Sequence, residues 1–135
     1  MAIEYKDNLE TLTAEALTGF FAGWPEHPDE ATHLEILKKS AKVWLAMEGP
    51  KCVGFINALT DGVFYAYVPL LEVLPGYHGQ GIGSELVQRM TQSLSGMYAV
   101  DAVCDEAVAP FYSKLGFGKC AGMVKRNFKR QNPAK

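Results

Sequence analysis

Apolar positions along the chain repeat with two periods, and their succession lays out the elements. Ile3 to Lys6 alternates apolar and polar residues and predicts a short edge strand. Thr13 stands where it would cap a helix carrying Ala16, Leu17 and Phe20, and the break "GWPEHP" from Gly23 to Pro28 would end it. A second helix is predicted from about Asp29 to Ser40, with Leu34, Leu37 and Ala41 inward and Glu30, Glu35, Lys38 and Lys39 toward water. "KVWLAME" and "CVGFINALT" read as strands joined through "GPK", a hairpin. Val63 to Leu74 is one further strand or two runs joined by a bulge, because Pro69 inside it has no N–H for a ladder. There follow a helix over about Gly81 to Leu94, a strand over Tyr98 to Val103, a short helix over about Ala107 to Leu115, and strand material from Phe117 to Phe128. That order predicts an α+β fold, a mixed and mainly antiparallel sheet with helices on both faces.

Composition narrows the picture. A chain of 135 residues, 48% apolar, suits one domain over 1–135, burying about two-thirds of its unfolded surface. A net charge of −2 with mixed signs, apart from the basic end "VKRNFKRQNPAK", gives no reason to expect nucleic acid as a partner. No window approaches the ~20 apolar residues that span a bilayer, and "MAIEYKDNLETLT" lacks the basic-then-apolar order of a leader, so the expected location is cytoplasmic, with no membrane partner. Cys52, Cys104 and Cys120 are odd in number, widely spaced and without nearby histidines, which disfavours a disulfide framework or a zinc site. No metal is expected.

The segment "LEVLPGYHGQGIGSELVQRM", Leu71 to Met90, carries the clearest chemistry. Ile82, Leu86, Val87, Met90 and Leu94 repeat at helical spacing, so the glycines precede a helix N-terminus, where free amides and the helix dipole favour an anion. A tight strand-to-helix turn would use the same glycines. A P-loop needs a Lys before Ser or Thr, which is absent here. Gly79, Gly81 and Ser84 with Asp101 approach a dinucleotide fingerprint, but Ser84 replaces its last glycine and too little chain follows for that sheet.

The stretch His78, Gly79, Gln80, Gly81, Ile82, Gly83 resembles the acetyl-CoA-binding motif of the GCN5-related N-acetyltransferase (GNAT) superfamily, with His78 where the family has Gln or Arg. Downstream, "DEAVAPFYSKLGF" resembles the family's second motif, with Asp105 where Asn is common. The likeness covers roughly Lys42 to Phe128. "GWPEHP", "LKKSAKV", "DGVFYA" and "GM" are similar to a bacterial and plant subgroup that includes plant-type serotonin N-acetyltransferases. The resemblance implies a GNAT-like sheet and acetyl transfer from acetyl-CoA, as co-substrate, to a primary amine of a small molecule in a direct ternary complex. A non-catalytic acyl-CoA-binding regulatory domain and a protein or peptide acetyltransferase are the alternatives. A homodimer, with the C-terminal strand contributing, is also carried over by resemblance.

The same resemblance implies residue roles. Leu71, Glu72 and Val73 would present strand backbone to pantetheine; His78 to Ser84 would hold the pyrophosphate; Asp105 and Tyr112 would complete the donor site. Tyr112 aligns with the family's general acid near the thioester sulfur, although Phe111 and Tyr112 would equally serve as helix core aromatics. The base stays open among Glu72, Tyr67, Asp101, Asp61 through a water, and simple selection of neutral amine. Trp24, Asp61, Phe64 and Tyr67, with Tyr65, are candidate acceptor residues, an aromatic wall for an arylalkylamine or its cation. His27 and His33 flank the first helical hairpin and read as surface residues.

Overall fold

The computed structural model describes residues 2–135. Six strands form its sheet: β1 (Glu4–Lys6), β2 (Lys42–Glu48), β3 (Lys51–Thr60), β4 (Tyr65–Val68), β5 (Leu71–Val73) and β6 (Ala99–Ala102). The order is β1-β2-β3-β4-β6, with β5 paired to β3 beyond the end of β4. All pairings are antiparallel except β4 with β6. Along β3 every residue from Cys52 to Ala58 is buried, so the two-residue alternation vanishes. That is what a central strand covered on both faces requires.

One face is covered by α2 (Ile82–Ser93), which buries Ile82, Leu86, Val87 and Met90. Gly54 in β3 lets it approach closely: a Cβ there would stand 3.2 Å from both Ile82 Cγ2 and Leu86 Cδ1. On the other face lie α1 (Glu30–Lys39) and the loop before it. Asp29 caps α1 by accepting from the Thr32 amide at 2.8 Å. α3 (Ala109–Lys114) follows a 3₁₀ turn at Glu106–Val108 and starts with Pro110 in its first turn, where no amide partner is lost.

Four expectations need correction. The first helix is only a 3₁₀ turn, Glu15–Leu17, because Gly19 and Phe21 take positive φ (100° and 64°) and reverse the chain, leaving Phe20 to reach the core from a loop. Within α1 the buried residues are His33 and Leu37; Ser40 turns extended at ψ 147°, which puts Ala41 off the helix and into solvent. His33 is therefore a core residue, 1% exposed. Finally, no strand forms from Phe117 to Phe128, where only a 3₁₀ turn at Phe128–Arg130 appears and residues 118–130 are exposed. Gly118 and Gly122 weaken strand formation there, and the C-terminal strand assigned to a dimer contact is not formed. Among the described residues, no helix is long and apolar enough to cross a membrane.

Candidate active site

The sheet opens where β4 gives way to β5. β6 pairs with β4 from Tyr65 to Val68 and goes no further, so β5 keeps only β3 as a neighbour. On either side of the Phe55–Glu72 pair, the Leu74 amide donates to Val53 (2.9 Å) and the Asn57 amide to Leu70 (3.2 Å). Even-numbered residues of this run thus turn their backbone to β3, and Leu71 and Val73 turn theirs into the opening. Of the three residues expected to present backbone, Glu72 has its N–H and C=O directed to β3. The break itself is held by Asn57, 2% exposed. Its Oδ1 accepts from the Leu70 amide (3.1 Å) and its Nδ2 donates to Ser40 Oγ (3.0 Å).

Beside this edge lies the N-terminus of α2. Gly81 is its N-cap at φ 79°, with no side-chain cap, and Gly79 has φ 78°. A Cβ on either would meet nothing within 4 Å, so their backbone faces open space. The amides of Ile82, Gly83 and Ser84 have no acceptor inside the helix. Uncapped amides, the positive helix end and bare backbone fit a pyrophosphate. His78 gains a physical role here: its Nε2 lies 2.8 Å from the Val73 carbonyl, a bond that ties the glycine loop to β5. Gln80 is exposed and Ser84 half-buried.

The second motif reaches the same place. The Phe111 ring comes within 3.5 Å of where a Gly83 Cβ would stand, and Val73 Cγ2 within 3.8 Å, so α3, α2 and β5 meet at one point. Tyr112 is half-buried, edge-on to Phe111 and Phe117 at 5.1 and 5.2 Å. Burial pushes its phenol up to about 12, and the nearby Cys104 and Tyr67 add to the rise. Asp105 precedes the 3₁₀ turn and its carbonyl accepts from the Val108 amide (2.9 Å), while its exposed carboxylate caps nothing.

The acceptor candidates do not gather as a set. Asp61 accepts from the amides of Val63 and Phe64 (2.7 Å each) and Tyr65 (3.2 Å), which lowers its carboxyl; it closes the β3–β4 turn. Phe64 stacks on Tyr98 at 4.9 Å, at the end of β4 opposite the opening. Tyr67 lies toward Tyr112 and is paired in register with Asp101, whose carboxylate accepts from the Tyr65 hydroxyl at 2.7 Å. Trp24 is on the other face of the sheet, edge-on to Phe21 at 5.1 Å.

Glu72 links that face to the opening. Its carboxylate accepts from the amides of Phe21 (2.8 Å) and Ala22 (3.3 Å), holding the loop before α1 against β5. These bonds offset the cost of a left-handed Phe21 backbone. Sequence reasoning missed this tether, the Asn57 clamp and the buried His33. Only His33 had a signal: it stands four residues before Leu37, on the inner stripe of α1. Among the described residues, no three His, Cys, Asp or Glu side chains gather as metal ligands.

Comparison with known proteins bears on this arrangement. The model of the acetyltransferase (GNAT) family matches residues 9–117. A crystal structure from Deinococcus radiodurans R1 superposes with a TM-score of 0.94 at 41% identity, covering 96% of this chain and 91% of that one. The uncharacterised N-acetyltransferase ycf52 of Pyropia yezoensis is 27% identical over 93% of this chain and 79% of its own. The chloroplastic serotonin N-acetyltransferase 2 of rice is 32% identical over 78% of this chain, which spans 56% of the rice protein.

Proposed function

The chain belongs to the acetyltransferase (GNAT) family, and on that premise we propose that it transfers an acetyl group from acetyl-CoA to the primary amine of a small molecule within one ternary complex. The observation that carries this reading is the β5 edge without a strand neighbour, beside the uncapped N-terminus of α2, where α3 arrives through Phe111. Pantetheine would bond to the outward backbone of Leu71 and to the Val73 amide, the Val73 carbonyl being engaged by His78, as an added strand would. The amides from Gly79 to Ser84 would hold the pyrophosphate, with His78 keeping that loop at a set distance from β5. Two anchors on one extended donor would fix where its thioester lies, and positioning of this kind contributes heavily to rate in a reaction between two bound substrates.

Tyr112 would act on the leaving sulfur. With its proton held up to about 12, it offers an O–H throughout the neutral range. Complete transfer to a thiolate of ordinary pKa near 8.5 would be uphill by about 5 kcal/mol, so its service is a hydrogen bond that strengthens as charge develops on sulfur, with solvent completing the protonation. Neither Glu72 nor Asp61 suits the part of base, each already accepting backbone amides. Asp101 already accepts from the Tyr65 hydroxyl and a phenol such as Tyr67 is a poor base at neutral pH, so the reading uses amine that is already neutral or loses its proton to water. The named amine of the rice relative supports a small-molecule acceptor.

The donor site is tested by titrating acetyl-CoA into wild type and Gly81→Val. At φ 79° a β-branched residue is strained, at a cost of about 1–3 kcal/mol in stability, and its side chain enters the open space, so the donor affinity of the folded variant should fall about tenfold or more. Unchanged affinity would remove the glycine loop from the donor site.

A further inference from the structure

Cys104 and Cys120 are both exposed, and they stand at the two ends of the segment that carries α3. Two contacts bring those ends together. A Cβ on Gly122 would meet Val103 Cγ2 at 3.8 Å, and Lys119 Nζ donates to Glu106 Oε1 at 2.5 Å. The chain leaving α3 thus runs back along the chain that enters it, with Gly122 beside Val103 and Lys119 beside Glu106. Cys104 and Cys120 both fall between these two contacts. Neither belongs to a helix or a strand, so the backbone can bring their Cα atoms to within about 4.4–6.8 Å, the span of a disulfide, without breaking a ladder. Cys52 is the contrast. It is 0% exposed within β3, and burial pushes its thiol up to about 12, which withholds the reactive thiolate.

We infer that Cys104 and Cys120 form a reversible disulfide that closes the loop around α3 and so governs how firmly Tyr112 is held. The oxidant is a small-molecule disulfide. One cysteine thiolate attacks a sulfur of that molecule, expels half of it as a thiolate and forms a mixed disulfide. The second cysteine thiolate attacks the protein sulfur of the mixed disulfide and expels the other half. Two electrons pass from the cysteines to the small disulfide, and the two cysteine protons end on the expelled thiolates. An excess of the small thiol runs both steps backward, and exposed disulfides are the labile ones that serve regulation. α3 is where the link acts. Its six residues are far fewer than the roughly 12–15 that an isolated helix needs, and none of them is fully buried. Phe111 and Tyr112, with Leu115 and Phe117 after them, hold it by packing part-buried against the core. A bond at the base of this loop removes open states in which that packing is lost.

The test equilibrates the full chain with mixtures of glutathione disulfide and glutathione, alkylates the remaining thiols and maps them by mass spectrometry. Wild type should lose about 2 Da, the two thiol hydrogens, through one link between Cys104 and Cys120 within a single chain, with Cys52 alkylated. Excess glutathione should reverse it. Cys120→Ser, a change at an exposed position, should stop at a glutathione adduct on Cys104. Wild type that keeps a glutathione on each exposed cysteine, links either of them to Cys52, or links two chains overturns the inference. Amide hydrogen exchange then reads the hold on α3. Over Phe111–Leu115 it should slow about tenfold or more in oxidised wild type, and the same treatment should leave Cys120→Ser unchanged. Equal exchange in the oxidised and reduced wild type would overturn the hold on Tyr112. Neither readout involves acetyl transfer, so the cysteine pair stands or falls apart from that reading.

Discussion

Tyr112 and His33 show how burial assigns opposite tasks to two titratable side chains. Desolvation keeps the Tyr112 proton in place up to about 12 and keeps His33 without a second proton down to about 4. For Tyr112, replacement by Phe should lower kcat by about 10–100-fold while the acetyl-CoA Kd stays within about twofold, since only the bond to developing sulfur charge is lost. Equal turnover would reduce Tyr112 to a packing aromatic. For His33 the folded pKa lies below the ordinary 6.5, so its neutrality contributes stability fully above that value. That contribution is lost as pH falls toward 4, by about 3 kcal/mol for a shift of this size. Urea unfolding at pH 7 and pH 4 should therefore show wild type losing more stability than His33→Phe, which has no imidazole to protonate. Equal losses would mean that His33 titrates normally in the folded state.

Elements carry the site through the interruption between β4 and β5. Asn57 closes that break with two side-chain bonds, and Leu at this position has the same branching but no polar atoms. Asn57→Leu should destabilise by about 1–3 kcal/mol in urea unfolding and also weaken acetyl-CoA binding, because Leu70 loses its anchor beside the donor edge. A loss of stability with donor binding intact would separate the clamp from the site. The break was legible in the sequence through Pro69, and so was the α2 N-terminus, because both rest on local chemistry: a missing amide and a run of glycines. The Asn57 clamp was not, since its partners Ser40 and Leu70 are distant in the chain and a buried amide reads like any polar residue in a strand. The first helix was over-read for a related reason. Its apolar spacing is real, but the φ of Phe21 is set by Glu72, fifty-one residues away. The Phe117–Phe128 run has apolar residues but pairs with neither of the free edges left by β5 and β6, and composition alone could not reveal that.

At the scale of the whole molecule, the two sides of the sheet divide the labour. α2 and α3 crowd the donor features on one side of the opening, and the α1 side holds a cavity walled by Phe21, Trp24 and His27, joined through Glu72. On the proposed reading this arrangement would hold both substrates at once, with no need of an acetylated protein intermediate. Cys104 is the free cysteine placed near Tyr112, being exposed and close enough to raise its phenol, and so the candidate to carry one. Direct transfer and a covalent relay differ in their kinetics. Initial rates of thiol release, measured over a grid of acetyl-CoA and amine concentrations, should give double-reciprocal lines that intersect and should persist in Cys104→Ala. Parallel lines abolished by that substitution, or no thiol release above hydrolysis with any amine, would contradict the account.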